Sequence, residues 1–199
     1  VENTLGLDVG IKSFLVTSDG LVVDNPKHLY KRAYRLRKAQ RAVSRKKKGS
    51  NNRKKAVQKL ARAHQKVKNA RKDFHHKLST QLIRENQTII TENLQIKNMV
   101  KNHKLAKSIS DAGWYEFIQM LEYKSKWYGR ELIKVVPNHT SQDCSVCGWR
   151  NKELQLKDRS WTCINGHTLE RDLNAAINIR NKGVGHTPSA WEIYSDIGR

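Results

Sequence analysis

Residues 143–179 read DCSVCGWRNKELQLKDRSWTCINGHTLERDLNAAINI. The stretch opens on a Cys-x2-Cys pair, Cys144 and Cys147; Cys163 follows, with His167 four positions on. Asp172 then stands at the start of an Asn/Ala/Ile-rich segment that reads as a helix. Thiolates and an imidazole are what a tetrahedral zinc site takes, whereas a carboxylate suits a hard divalent cation. Two sites of different chemistry therefore adjoin in sequence. The rest of the chain is expected to supply further carboxylates and a surface for a polyanion.

Composition supports the second half of that expectation. The chain has 199 residues, enough for one or two domains with a good core. It carries 39 Lys and Arg against 18 Asp and Glu, a formal net charge of +21. Such an excess calls for a polyanionic partner, nucleic acid foremost. Three cysteines are too few, and odd in number, for a secreted disulfide scaffold. Reduced, metal-binding cysteines in a cytosolic protein are expected instead. No apolar run approaches the roughly 20 residues that span a bilayer, so no membrane partner is expected. The N-terminus, VENTLGLDVG, has no signal-peptide layout. It lacks a Met and enters a strand almost at once, so the chain is expected to be part of a longer protein.

Upstream, Thr4–Gly10 reads as a buried strand with Asp8 near its middle. Phe14–Thr17 and Leu21–Val23, joined by the Ser18-Asp19-Gly20 turn, complete an antiparallel meander. Gly6 and Gly10 permit another chain or a phosphate to approach the backbone closely. Leu29–Val43 has helical spacing, Lys46–Asn52 reads as a loop, and a near-heptad seam runs through Val57, Leu60, His64, Val67, Arg71, Phe74, Leu78 and Leu82. The prediction is a long basic helical hairpin over residues 29–77. Between Lys31 and Lys77 there are 20 Lys and Arg and one acid, Asp73. A solvated face is the plain reading of such a run, but like charges at i,i+4 repel, and a phosphate backbone would relieve that repulsion.

Thr88–Thr91 reads as a central strand ending at Glu92, and Asn93–Lys107 as a loop. Ser110 or Asp111 is expected to cap a helix bearing Trp114, Phe117, Ile118, Leu121 and Tyr128 on one face, more simply core than a base-stacking surface. Glu131–Val136 reads as a further strand and Glu170–Asn181 as the last helix; beyond Lys182 and Gly183 a loosely held tail is expected. The element order is not a string of equal βα units. It predicts an α/β fold with a mixed sheet and flanking helices.

In such a sheet the first strand and the strand after the first helix commonly adjoin, and a packed helix can bring in a third carboxylate. Asp8, Glu92 and Asp172 are thus candidate ligands for two Mg²⁺ (or Mn²⁺) ions. Two such ions about 4 Å apart clamp the attacking water and the leaving oxygen of a phosphodiester displacement. Taken singly, each acid also has an ordinary surface or helix-capping explanation. An ionised Asp8 between Leu7 and Val9 is costly without a compensating cation, which favours the site. For one structural zinc, Cys144, Cys147 and Cys163 supply three ligands; His167 is the nearest candidate for the fourth and His139 the alternative. A ribbon that has lost its metal is the competing reading. Trp149 and Trp161 could pack beside the site or stack on bases.

The segments GLDVGIKSF around Asp8, ITENLQIKNM around Glu92, CSVCG at Cys144–Gly148 and ERDLNAAINI around Asp172 resemble the TnpB family of transposon-encoded RNA-guided nucleases. They fall in the family's order and cover nearly the whole chain. The resemblance implies an RNase H-like (RuvC) fold, with a core over residues 1–142, a zinc-ribbon insert at 143–168, a last core helix at 169–182 and a tail at 183–199. It implies that Asp8, Glu92 and Asp172 are the catalytic Mg²⁺ ligands of a DNA endonuclease, guided by RNA from the transposon end to a DNA target. Family members carry a β-barrel and a helical region ahead of the first catalytic strand, so a chain that starts at that strand is expected to be a truncated product or a fragment; they usually have a second Cys-x2-Cys pair where this chain has Cys163 and His167. The alternative is a truncated, non-catalytic nucleic-acid-binding or regulatory fragment.

Overall fold

The computed structural model describes residues 3–155 and 157–185; the predicted tail lies outside the described residues from 186 onward. Strands β1 (Thr4–Val9), β2 (Ser13–Thr17) and β3 (Val22–Asp24) form the antiparallel meander. Helices α1 (His28–Ser44) and α2 (Asn51–Glu85) pack together and lead into β4 (Thr88–Glu92). Helices α3 (Ile96–Met99), α4 (Ala106–Ala112) and α5 (Trp114–Trp127) precede β5 (Glu131–Val135). A separate two-stranded ribbon, β6 (Ser160–Thr162) with β7 (Thr168–Glu170), runs into α6 (Arg171–Gly183). The five-stranded sheet has the order β3-β2-β1-β4-β5, with β4 parallel to both β1 and β5. The fold is therefore the expected mixed α/β sheet with flanking helices. No helix among the described residues is long and apolar enough to cross a membrane.

Side-chain alternation divides the sheet into two faces. Leu5, Leu7 and Ile89 join the main core with Leu78, Leu82 and Ile83 of α2 and Trp114, Phe117 and Leu121 of α5. The aromatic face of α5 is thus core, as expected, except Tyr128, which is exposed. The opposite face is covered by α6, and Gly6 sets how closely. A Cβ on Gly6 would lie 2.2 Å from the Ala176 carbonyl oxygen and 2.8 Å from Arg180. The converse contact is Gly183, where a Cβ would lie 2.4 Å from Ile90. That contact is why α6 extends through Gly183, two residues past the expected end. Gly6→Ala is expected to cost about 3 kcal/mol, the upper end of overpacking penalties, because backbone rather than a flexible side chain is in the way. A urea midpoint unchanged from wild type would contradict this packing.

The α1–α2 pair is the basic hairpin anticipated from sequence. Ser50 caps α2, its hydroxyl accepting the Arg53 amide at 3.2 Å. The seam differs at its N-terminal end. Ala56 and Val67 are buried, whereas Val57 and His64 are exposed. The partner at that end is α1, through Leu36 and Val43, and tight helix–helix approach selects the small Ala56 over the larger Val57. At the other end α2 meets α5. There Lys124 is buried and donates to the His76 carbonyl (2.8 Å), Ser79 Oγ (2.7 Å) and Thr80 Oγ1 (2.7 Å), and burial lowers its pKa.

Two local expectations are corrected. The stretch Asn93–Lys107 is not all loop: Ile96, Met99 and Val100 pack on the core, and α3 and the start of α4 form there. Ser110 and Asp111 lie inside α4 and do not cap α5, whose start is marked by Gly113 at φ 67°. Asp111 instead accepts the Leu29 amide of α1 at 2.9 and 3.0 Å, capping a helix 82 residues away in sequence.

Candidate functional site

Asp8 and Glu92 sit just beyond the last paired residues of neighbouring parallel strands, Leu7 opposite Thr91. They follow Gly6 and Ile90 by two positions each and so share the face against which α6 packs. Ala176 lies over Gly6. One helical turn back, about 6 Å, comes Asp172; two strand residues on, about 6.6 Å, comes Asp8. With α6 running against the direction of β1, those steps bring the two carboxylates toward each other. The electrostatics agree. Burial holds the Asp8 carboxyl well above the usual carboxylate range, the charges of Glu92 and then Asp172 raise it further, and Arg171 opposes them. The ligand atoms of the three acids do not converge as those of Cys144, Cys147, Cys163 and His167 do, but Glu92 and Asp172 act through space on Asp8, so the three make an oxygen-rich set that opposes charge on Asp8. That is the donor set a hard divalent cation takes, and a cation would remove the repulsion.

The residues that steady this cluster were not anticipated. Thr140 Oγ1 donates to Glu92 Oε1 at 2.6 Å. Asn174 and Asn178, one turn apart on α6 and buried, both reach the 140–143 backbone. Asn178 Nδ2 donates to the carbonyls of Thr140 (2.8 Å) and Asp143 (2.6 Å), and Asn174 Nδ2 to Asp143 (2.8 Å). Asn174 Oδ1 accepts the Ser145 amide at 2.8 Å, and Lys182 Nζ donates to the Asn138 carbonyl. A signal existed in the sequence: asparagines at i and i+4 among the Leu, Ala and Ile residues of α6 are poor helix formers unless their side chains have work elsewhere.

Cys144, Cys147, Cys163 and His167 converge, with their ligand atoms within 4.8 Å of one another. Cys147 Sγ lies 3.7 Å from Cys163 Sγ, and His167 Nδ1 lies 3.1 Å from Cys163 Sγ and 3.8 Å from Cys144 Sγ. A tetrahedron with metal–sulfur bonds of 2.3 Å has edges of about 3.8 Å, so these four atoms fit one zinc ion. Burial pushes the Cys144 thiol up to about 11, so its thiolate needs a cation. His139 is elsewhere: its Nδ1 pairs with Gln142 Oε1 at 2.8 Å. Trp161 is buried with the cysteines, beside Leu154 and Leu169, and its ring centroid is 6.4 Å from that of Trp149. The ribbon is tied to the carboxylate cluster, since Cys144 lies between the anchored Asp143 carbonyl and Ser145 amide.

Residues 1–103 match the family OrfB_IS605, described as "Probable transposase", and residues 114–179 match the Cas12f1-like TNB domain. A "Putative RNA-guided DNA endonuclease" of Streptomyces pristinaespiralis is 50% identical over 183 residues, covering 90% of this chain and 45% of that protein. "Putative RNA-guided DNA endonuclease InsQ" of Escherichia coli K12 is 35% identical over 195 residues, covering 90% of this chain and 48% of that protein. The chain therefore spans about half the length of these curated relatives. Its fold is similar to a chain of the solved Cas12f1–sgRNA–target DNA complex, with a TM-score of 0.65 at 22% identity over 89% of this chain and 49% of that one.

Proposed function

The chain is a TnpB-like protein of the OrfB_IS605 family, and from this premise we propose that it is the RuvC-like, divalent-metal-dependent DNA endonuclease part of an RNA-guided nuclease. The observation that carries the reading is that the charges of Glu92 and Asp172 act together on a half-buried Asp8. The sheet order, with an antiparallel meander flanked by parallel strands, supports an RNase H-like core. On this reading residues 1–142 and 169–182 form that core, with the hairpin at 29–77, and 143–168 are a zinc-ribbon insert.

Asp8 on the central strand, with Glu92 and Asp172, would hold the divalent cations on this reading. Thr140 fixes one oxygen of Glu92 by donating its hydroxyl to it. Two Mg²⁺ ions bound there would supply an activated water and neutralise charge on the leaving oxygen. The basic residues of α1 and α2 hold guide RNA or its heteroduplex with target DNA through phosphates and shape, not base identity. The guide is taken to come from the transposon end. Zinc is structural, folding a segment too short to bury a core of its own.

The test is incubation of labelled single-stranded DNA with Mg²⁺ and either the chain itself or a longer gene product containing it, loaded with guide RNA. Metal-dependent cleavage leaving 5′-phosphate and 3′-hydroxyl ends is expected. Salt-sensitive binding with no cleavage in either preparation would replace the nuclease by a non-catalytic binding module.

A further inference from the structure

Helix α1 buries one side against α2 and leaves the other bare. On the bare side Lys27, Tyr30, Lys31, Tyr34, Lys38 and Arg41 recur at helical spacing, all exposed. Tyr30 and Tyr34 are 75% and 71% exposed, and they stand one turn apart, about 6 Å along the axis. The helix contains no acidic residue. A lone surface tyrosine needs no explanation. Two in register, set between cations that form no ion pair among the described residues, form a stacking platform inside a phosphate-binding stripe.

The platform leads into a cleft of about 500 Å³ at the start of α1, lined by Asn25, Lys27, Tyr30, Lys107 and Ser108. Asp111 also lines it, its carboxylate accepting the Leu29 amide, and Lys27 and Lys107 together outweigh its single negative charge. Ile11 also lines the cleft, and Asn25 Nδ2 holds the Ile11 carbonyl at 2.9 Å. Ile11 is three residues beyond Asp8, which puts this wall within about 10 Å of Asp8 along the backbone.

We propose that the outer face of α1 and this cleft bind an unpaired DNA strand and lead it toward the carboxylates. Bases stack on Tyr30 and Tyr34, while phosphates lie along Lys27, Lys31 and Lys107. A duplex hides its base faces and cannot use the rings, so the tyrosines select for unpaired nucleotides. The choice of DNA rests on the nuclease reading; the platform rests on α1 and the cleft alone.

Fluorescence anisotropy without added Mg²⁺, using oligo(dT), oligo(U) and a blunt DNA duplex, tests it. The double variant Tyr30→Ala/Tyr34→Ala should bind oligo(dT) about tenfold more weakly per ring and the duplex within about twofold of wild type. Tyr30→Phe/Tyr34→Phe should restore binding, because stacking needs the ring and not the hydroxyl. Both positions are exposed, so neither variant should change the thermal midpoint. Lys27→Ala/Lys107→Ala should flatten the salt dependence on oligo(dT). Unchanged oligo(dT) affinity in the alanine pair, or an equal loss on duplex, overturns the platform. A loss confined to oligo(U) overturns the assignment to DNA. Selective loss on oligo(dT) with no cleavage under any condition would sink the nuclease reading and leave the platform standing.

Discussion

Asp8→Asn is expected to reduce Mg²⁺-dependent DNA cleavage by about 10³-fold or more while leaving DNA binding within about twofold. Metal ions stabilise transition-state charge by several kcal/mol, and each 1.36 kcal/mol is a factor of ten, so on the proposed reading losing a carboxylate that would hold the metal removes about that much rate. The same substitution should raise the thermal midpoint of the metal-free protein. Asp8 holds its proton to a higher pH when folded than an ordinary carboxyl does, because burial and then the charges of Glu92 and Asp172 oppose ionisation. The folded state thus binds more protons than the unfolded chain between the ordinary carboxylate range and the raised value. Stability falls as pH rises through that window, and the loss persists above it. Asn carries no such penalty, so Asp8→Asn should flatten the pH dependence there. Mg²⁺ should stabilise wild type more than the variant, since the ion relieves a repulsion the variant lacks. Wild-type cleavage in Asp8→Asn would end the catalytic assignment. A lowered midpoint with an undiminished Mg²⁺ response would mean that the three carboxylates do not share one cation site.

Removing the zinc-type site should have an effect of similar size, felt on stability first. Structural zinc contributes roughly 10–16 kcal/mol of apparent binding free energy in small zinc-finger peptides at neutral pH, and folding of the ribbon is coupled to it. Cys144→Ser should abolish zinc retention and unfold β6 and β7. The damage should reach the carboxylates. Asn174 and Asn178 would lose their backbone partners at 140–145, leaving buried amides unsatisfied at about 1–3 kcal/mol each. Thr140 would lose its hold on Glu92. Cleavage should therefore fall along with zinc content, although no zinc ligand belongs to the carboxylate cluster. His167→Ala keeps three thiolates and should weaken zinc binding by about 10²-fold, with His167→Cys restoring it. Zinc measured by metal analysis and chelator competition decides the point: wild-type affinity in His167→Ala would remove His167 from the ligand set.

The reach of sequence reasoning differs from residue to residue. Gly6 could be read as a place of close approach, but not that α6 is what approaches, because only the packed sheet brings Ala176 and Arg180 over it. The period of α2 was visible, yet its seam shifted from Val57 to Ala56, because the tightness of the α1 contact outweighs side-chain size there. Asp111 looked like a cap for the nearest helix and serves a distant one.

By itself the sequence determined the mixed α/β class and the basic hairpin, and named the four zinc-type ligands and the three acids as candidates. These are properties of local pattern: alternation, helical period, charge density and the spacing of soft donors. Tertiary structure alone decided that the charges of Glu92 and Asp172 act on Asp8, that His167 rather than His139 joins the cysteines, and that Thr140, Asn174 and Asn178 tie the segment before the ribbon to Glu92 and to α6. The physical reason is that such couplings join residues far apart in the chain. A hydrogen bond or a charge repulsion depends on a few ångströms of separation, and sheet register and helix packing set that separation.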